Sequence, residues 1–235
     1  MLFQDRHPRP PATPEAGAEL LGRPLEGEEQ VHYVVSRMTI ADLPRIVEIE
    51  KRAYPTSQWP VSAYHRELQD NTWAHYIVIR DTQIPVPAEM ESVPRRSFPF
   101  SIFSQPRTTT DTALAQIVGY AGLWLTIDEA HVTTIATDPS VRRRGLGELL
   151  LVELIDIAYQ IGARWMTLEV RVTNETAQSL YRKYGFSIVS TRPRYYTDND
   201  EDAYIMWTEE ITTPAYREQF AHLKEKLYAR LGDQP

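Results

Sequence analysis

Three arginines and two glycines crowd into one short stretch, Val141 to Gly147, between a strand-like run (Ala130 to Thr137) and an apolar-striped helix. Arg-x-x-Gly-x-Gly at such a junction can cradle a pyrophosphate. Glycine lets backbone approach a phosphate closely, and the free N–H groups of a helix N-terminus favour an anion. A surface turn whose arginines face water has the same composition. The second chemically suggestive residue is Glu169, a carboxylate inside the short, mostly apolar run Trp165 to Val170. Carboxylates are depleted from buried strands, so Glu169 is either a proton acceptor or half of an ion pair with Arg171 or Arg164.

The elements that must position these residues are legible from periodicity. Leu146, Leu150, Leu154, Ile157 and Ile161 form one face of an amphipathic helix, and Gly162 is placed to end it. Strand, loop, helix and strand in succession make a βαβ unit whose two strands should be parallel. Asn174 is a suitable N-cap for a second helix, with Ala177, Leu180, Tyr181 and Tyr184 along one face and Gly185 at its end. Phe186 to Thr191 reads as a strand. Arg194-Tyr195-Tyr196 and the acidic turn Thr197 to Asp202 then lead to a last strand, Ala203 to Trp207.

The rest of the chain frames that unit. Residues 1–30 are rich in Pro, Gly, Ala and Glu and are expected to be a disordered tail. Val31 to Met38 reads as the first strand, Asp42 to Ala53 and Val61 to Gln69 as helices, and Trp73 to Arg80 and Gln116 to Ile127 as strands. Residues 81–115 carry five prolines and are expected to be an insertion, because structureless loops of that length are unusual in a compact domain. Thr213 and Pro214 can start a C-terminal helix within 212–235, striped by Tyr216, Phe220, Leu223, Leu227 and Leu231. Packing against its own domain or docking a partner would both use that stripe.

Composition bounds the function. A chain of 235 residues suits one domain with appendages, here 31–211. A net charge of −7 argues against a general nucleic-acid surface and suits a basic peptide substrate. The absence of Cys excludes disulfides, cysteine nucleophiles and thiolate metal sites, and fits a cytoplasmic protein. No apolar run approaches the ~18 residues of a membrane span. The six His show no ligand spacing, so no metal is expected.

The stretch from Ile135 to Trp207 resembles the GNAT N-acetyltransferases. The resemblance rests on Ile-Ala-Thr-Asp-Pro (135–139), the Arg-x-x-Gly-x-Gly loop, Leu-Glu-Val-Arg-Val-Thr-Asn (168–174), Ser-Leu-Tyr-Arg-Lys-Tyr-Gly-Phe (179–186), and Arg-Tyr-Tyr followed by Glu-Asp-Ala-Tyr-Ile-Met (201–206). Within the family it is most similar to the RimI-type enzymes, which acetylate the N-terminal alanine of a small-subunit ribosomal protein. The resemblance implies a mixed α/β fold, a twisted, mostly antiparallel sheet with a central splayed parallel pair and helices on both faces.

It also implies acetyl-CoA lying in the splay. Backbone groups of Ile135, Ala136 and Thr137 would meet the pantetheine arm, and the N–H groups of Arg142, Arg143, Arg144, Gly145, Leu146, Gly147 and Glu148 would hold the pyrophosphate. Asn174 would contact the same coenzyme while capping its helix. Glu169 becomes the general base, with partial burial raising its pKa, and Tyr181 the general acid. Both also fit plainer roles, an ion pair and a core aromatic. Tyr195 and Tyr196 could line a groove for a protein N-terminus, and the acidic turn could attract basic residues. Trp59 could close the acceptor side or pack between the first two helices. A relaxed N-terminal or ε-lysine acetyltransferase, and a coenzyme-binding module without turnover, are the alternatives.

Overall fold

The computed structural model describes residues 33–56, 58–85 and 115–232. Seven strands form one sheet: β1 (Tyr33–Arg37), β2 (Ala74–Pro85), β3 (Ala115–Thr126), β4 (Glu129–Thr137), β5 (Trp165–Arg171), β6 (Phe186–Tyr196) and β7 (Glu201–Thr208). The helices are α1 (Leu43–Ala53), α2 (Val61–Gln69), α3 (Leu146–Gln160), α4 (Glu175–Lys183) and α5 (Pro214–Gly232). Across the sheet the order is β1-β2-β3-β4-β5-β7-β6. All neighbours are antiparallel except β4 and β5, which are joined through α3 as a parallel pair must be.

Both faces of the sheet are covered, because successive residues of its central strands alternate between two cores. In β2, Ile77 and Ile79 join the cluster beneath α3, α4 and α5. Val78 between them joins Leu43, Ile46, Ile49 and Tyr64 of α1 and α2 on the other face.

The parallel pair is where the sheet opens. Cα pairing of β4 with β5 runs from Glu129↔Trp165 to Val132↔Leu168 and stops, although β4 continues to Thr137 and β5 to Arg171. One strand over, the β3–β4 register slips between Gly122 and Leu123, which leaves Thr133 as an extra residue in β4. A bulge bends the strand that carries it. The splay begins at that residue. Gly122 is required there by a close approach, since a Cβ would stand 2.2 Å from the Tyr76 ring.

Three boundaries differ from the sequence reading. β2 runs on to Pro85 instead of ending at Arg80, and β3 covers Ala115–Thr126 instead of 116–127, with Asp81↔Gln116 and Pro85↔Ala115 still paired across a register shift, so residues 81–85 and 115 belong to the hairpin rather than to the insertion. The remainder of that insertion, 86–114, and the tail 1–30 lie outside the described residues. β6 runs on through Arg194-Tyr195-Tyr196 instead of ending at Thr191. It is an edge strand, and its register shifts between Arg192 and Tyr196, which accommodates Pro193 in a place where a ladder donor is not needed.

The C-terminal helix packs on its own domain. Thr213 Oγ1 accepts the Tyr216 N–H as a cap, and Tyr216, Phe220 and Leu227 are buried in the α3 core. Its presence explains why α3 is buried nearly all round, with Leu149, Leu151, Val152 and Ile155 covered as well as the expected Leu146, Leu150, Leu154 and Ile157.

Candidate active site

The loop between β4 and α3 is anchored from below. Asp138, fully buried, accepts from the backbone N–H of Ser140 and from Arg45 and Arg52 of α1, at 2.9, 3.0 and 2.6 Å. Burial pushes its carboxyl up, but these donors outweigh it and hold it below the usual range. From that anchor the chain passes through exposed Arg142 and Arg143 to Arg144, which also meets Tyr33, and on to Gly145, whose φ of +83° opens α3. Only glycine adopts that left-handed turn without strain.

The N–H groups of the first turn of a helix have no intrahelical acceptor. Among the described residues, nothing lies within 4 Å of where a Cβ on Gly147 would stand, so the helix surface at that position is open. Open space over free N–H donors fits a coenzyme pyrophosphate. Leu146 has only backbone to offer there, its side chain being core. Glu148, in the first turn of α3, accepts from Tyr184 Oη and Arg230 Nη2, each at 2.7 Å, and from Lys183 Nζ.

In the splay, Asp138 N–H donates to Val118 O at 2.8 Å, so by alternation Ala136 faces β3 while Ile135 and Thr137 face the gap. The expected contribution of Ala136 backbone is therefore corrected: its polar groups belong to the β3 ladder. The Ile135 carbonyl, expected to be free, accepts from Tyr54 Oη at 2.7 Å. Burial pushes that phenol up to about 12.

Glu169 lies on β5 just past the last paired residue, Leu168, on the face opposite Leu168 and Val170. Its partners are neither Arg171 nor Arg164. His131 Nε2, in the paired part of β4 just before the splay, stands 3.2 Å from one carboxylate oxygen, and Arg192 of β6 stands 3.1 Å from the other. The expected rise in its pKa is corrected by this geometry. Hydrogen bonding to His131 outweighs burial, and with Arg192 it holds the Glu169 carboxyl below its usual range.

Tyr181, on α4, packs its ring on Phe186 with centroids 5.8 Å apart, and it neighbours Tyr54 and Tyr196. Burial pushes its phenol upward, so the hydroxyl keeps its proton. Asn174 caps the helix, its Oδ1 accepting from Ala177 N–H at 3.2 Å.

At the end of β6, Tyr195 and Tyr196 meet edge to face at 5.1 Å, with Arg192 over the first ring and Arg171 over the second. The acidic turn is less available than its sequence suggested. Arg171 binds Asp198 through two 2.9 Å bonds and Glu201 through another, and Asp202 accepts the Arg194 N–H. A cleft of about 230 Å³ opens between Tyr54, Pro55 and Thr56 and this Arg171–Asp198–Glu201 cluster. Trp59 lies between α1 and α2, its backbone N–H donating to Glu50 of α1 at 2.8 Å and its ring packed at 5.6 Å on Tyr64 of α2 and 6.4 Å on Trp124. That is the interhelical position, although Trp124 in turn packs on His131 at 6.3 Å. Among the described residues, no three His, Asp or Glu group as metal ligands.

Sequence reasoning missed His131, Arg192 and Tyr54. The signal available was a His in a strand whose neighbours Ala130 and Val132 are apolar, the same anomaly that singled out Glu169. Arg192 and Tyr54 gave none, because their meeting with the splay depends on β6 and on the loop after α1.

Residues 43–186 match the acetyltransferase (GNAT) family. A Bacillus subtilis relative is 34% identical over 173 residues, 74% of this chain and 93% of its own. A Mycobacterium tuberculosis protein named N-alpha-acetyltransferase RimI is 31% identical over 73% of this chain and 89% of its own. The crystal structure of the Escherichia coli ribosomal-protein-S18-alanine N-acetyltransferase superposes with a TM-score of 0.55 at 27% identity, over 75% of this chain and 92% of that one. A glycine-lined helix N-terminus at the end of a splayed parallel pair, with a carboxylate in its mouth, accords with these likenesses, and the chain belongs to the GNAT acetyltransferase family.

Proposed function

We propose that this protein acetylates the α-amino group of a protein N-terminus, in the first instance the N-terminal alanine of a small-subunit ribosomal protein, by direct transfer within a ternary complex. The observation that carries the reading is Glu169, held ionised by His131 and Arg192 at the point where β4 and β5 part. Acetyl-CoA supplies the acetyl thioester. Ile135 and Thr137 backbone lines the gap for its arm, and the first turn of α3 after Arg142–Arg144 receives its phosphates.

An α-ammonium with a pKa of ~7.7–8.0 must lose a proton before it can attack. Glu169 Oε accepts that proton, directly or through a water, and His131 and Arg192 hold the carboxylate in the acceptor state. The departing sulfur needs a proton, and in this reading Tyr181 Oη, kept protonated by burial, gives it. Tyr195, Tyr196 and the Arg171-neutralised turn form the wall on which an extended N-terminus would lie. The Bacillus subtilis relative, named a ribosomal protein bS18-alanine N-acetyltransferase, and the ribosomal-protein enzyme among the structural neighbours support alanine as acceptor.

Mass spectrometry after incubation with acetyl-CoA tests the reading. Peptides beginning with alanine, serine or methionine should be set beside N-blocked peptides carrying an internal lysine. Acetylation of the free alanine terminus is expected. Modification confined to the internal lysine would establish the ε-lysine alternative, and no modification at all would favour a binding module.

A further inference from the structure

Three carboxylates on α3 are met, in antiparallel order, by three side chains of α5. Glu148 receives Arg230, Glu153 receives Tyr228 Oη at 2.6 Å, and Asp156 receives Lys224. This row fixes the direction of α5 so that its last turn arrives at the first turn of α3. There Arg230 and Leu231 lie against the left-handed turn itself. A Cβ placed on Gly145 would stand 3.2 Å from Arg230 Nη2 and 3.3 Å from Leu231 Cδ2. Gly145 is thus closed in on the α5 side, whereas Gly147 is open.

We propose that α5 is part of the coenzyme site, with Arg230 a positioning residue for the phosphate-binding turn. The proposal rests on the acetyl-CoA reading above. A carboxylate in the first turn of a helix is favourable to the helix but opposes an anion bound at that same end. Glu148 is such a carboxylate, and it is neutralised by Lys183 from α4 and by Arg230 from α5. Two cations on one carboxylate leave one positive charge beside the cradle. Arg230 also covers the outer side of Gly145, which restrains the turn that aims the N–H groups. Half of the Arg230 side chain remains exposed, 51%, so it can be replaced without opening the core.

The test is calorimetric titration of the full chain with coenzyme A, for wild type, Arg230→Met, Arg230→Lys and the double variant Glu148→Gln/Arg230→Met, with melting temperatures measured alongside. Helix-terminus charge effects are of the size that moves affinity about three- to tenfold. Arg230→Met should weaken coenzyme A binding by about that factor with little change in melting temperature, and Arg230→Lys should retain most of it. Removing the carboxylate as well should restore affinity to within about twofold, which a merely structural Arg230 would not do. Acetyl-pantetheine, which has the thioester arm and no phosphate, should serve as donor equally well with wild type and Arg230→Met. Unchanged coenzyme A affinity in Arg230→Met, or an equal loss with acetyl-pantetheine, would overturn the proposal while leaving the acetyltransferase reading intact. Failure of the wild-type chain to bind coenzyme A would overturn both.

Discussion

Glu169 and Tyr181 are separated by what each does with a proton. Glu169 has its folded pKa depressed below the 4.5 of a free side chain, chiefly through His131. The contribution of that pairing to stability is fully present above about pH 4.5 and is lost as pH falls through the lower folded value. The carboxylate is therefore ionised throughout the working range, and the acidic limb of the rate profile should report the substrate amine. Glu169→Gln keeps the shape and removes proton acceptance, so turnover should fall about 10²–10⁴-fold while coenzyme affinity persists. The deficit should shrink as pH rises and the amine loses its proton unaided. Tyr181→Phe should slow turnover with no such high-pH recovery, since raising pH supplies no acid. pH–rate profiles of both variants, with melting temperatures as controls, separate these outcomes. Wild-type turnover in a stable Glu169→Gln would refute the base assignment.

At the scale of elements, the turn into α3 and the helix that covers it make different demands. The Gly147 position is open among the described residues, so Gly147→Asp adds bulk and negative charge where the proposed cradle would receive the phosphates. It should abolish coenzyme binding in a protein that still folds, and calorimetry with unchanged affinity would sink the phosphate-cradle assignment. Phe220 on α5 is 6% exposed and packs edge to face on both Tyr159 and Tyr184. Phe220→Ala should cost about 3–5 kcal/mol in chemical denaturation, the range for deleting a buried aromatic. A cost near zero would mean that α5 is detached in solution.

Across the whole molecule, acid stability should depend on the cluster that joins β5 to the β6–β7 turn. Thr173, Arg171 and Asn199 hold Glu201 down to about 2, from 4.5 in a free side chain, and Asp198 is lowered by Thr56 and Arg171. Depressed carboxylates stabilise the fold above their unfolded pKa and lose that contribution as pH falls through the folded one. For Glu201 the window is about pH 4.5 down to about 2. Arg171→Met should lower the melting temperature at pH 7 and flatten its decline across that window. An unchanged slope would show that the cluster is not the acid-sensitive element. The same cluster ties Thr56, in the loop after α1, to the turn after β6, so the cleft between them is formed by segments 142 residues apart in sequence.

What the sequence determined by itself was local. The 3.6-residue stripe of α3, the Asn174 cap, the glycine turn at 145 and the lone carboxylate at 169 each depend on neighbours a few residues away, and each stands where its pattern placed it. Tertiary structure decided what those residues meet. Whether Glu169 is raised or lowered depends on His131 from a parallel strand and Arg192 from an edge strand. Which backbone groups face the splay depends on a bulge at Thr133 that a β3–β4 register slip creates. Whether the acidic turn is free to attract a substrate depends on Arg171, and whether α3 shows one face or none to solvent depends on α5. Hydrogen-bond partners and burial are properties of long-range contacts. A periodic pattern fixes which way a side chain points along its own element, and leaves open what the fold has put there.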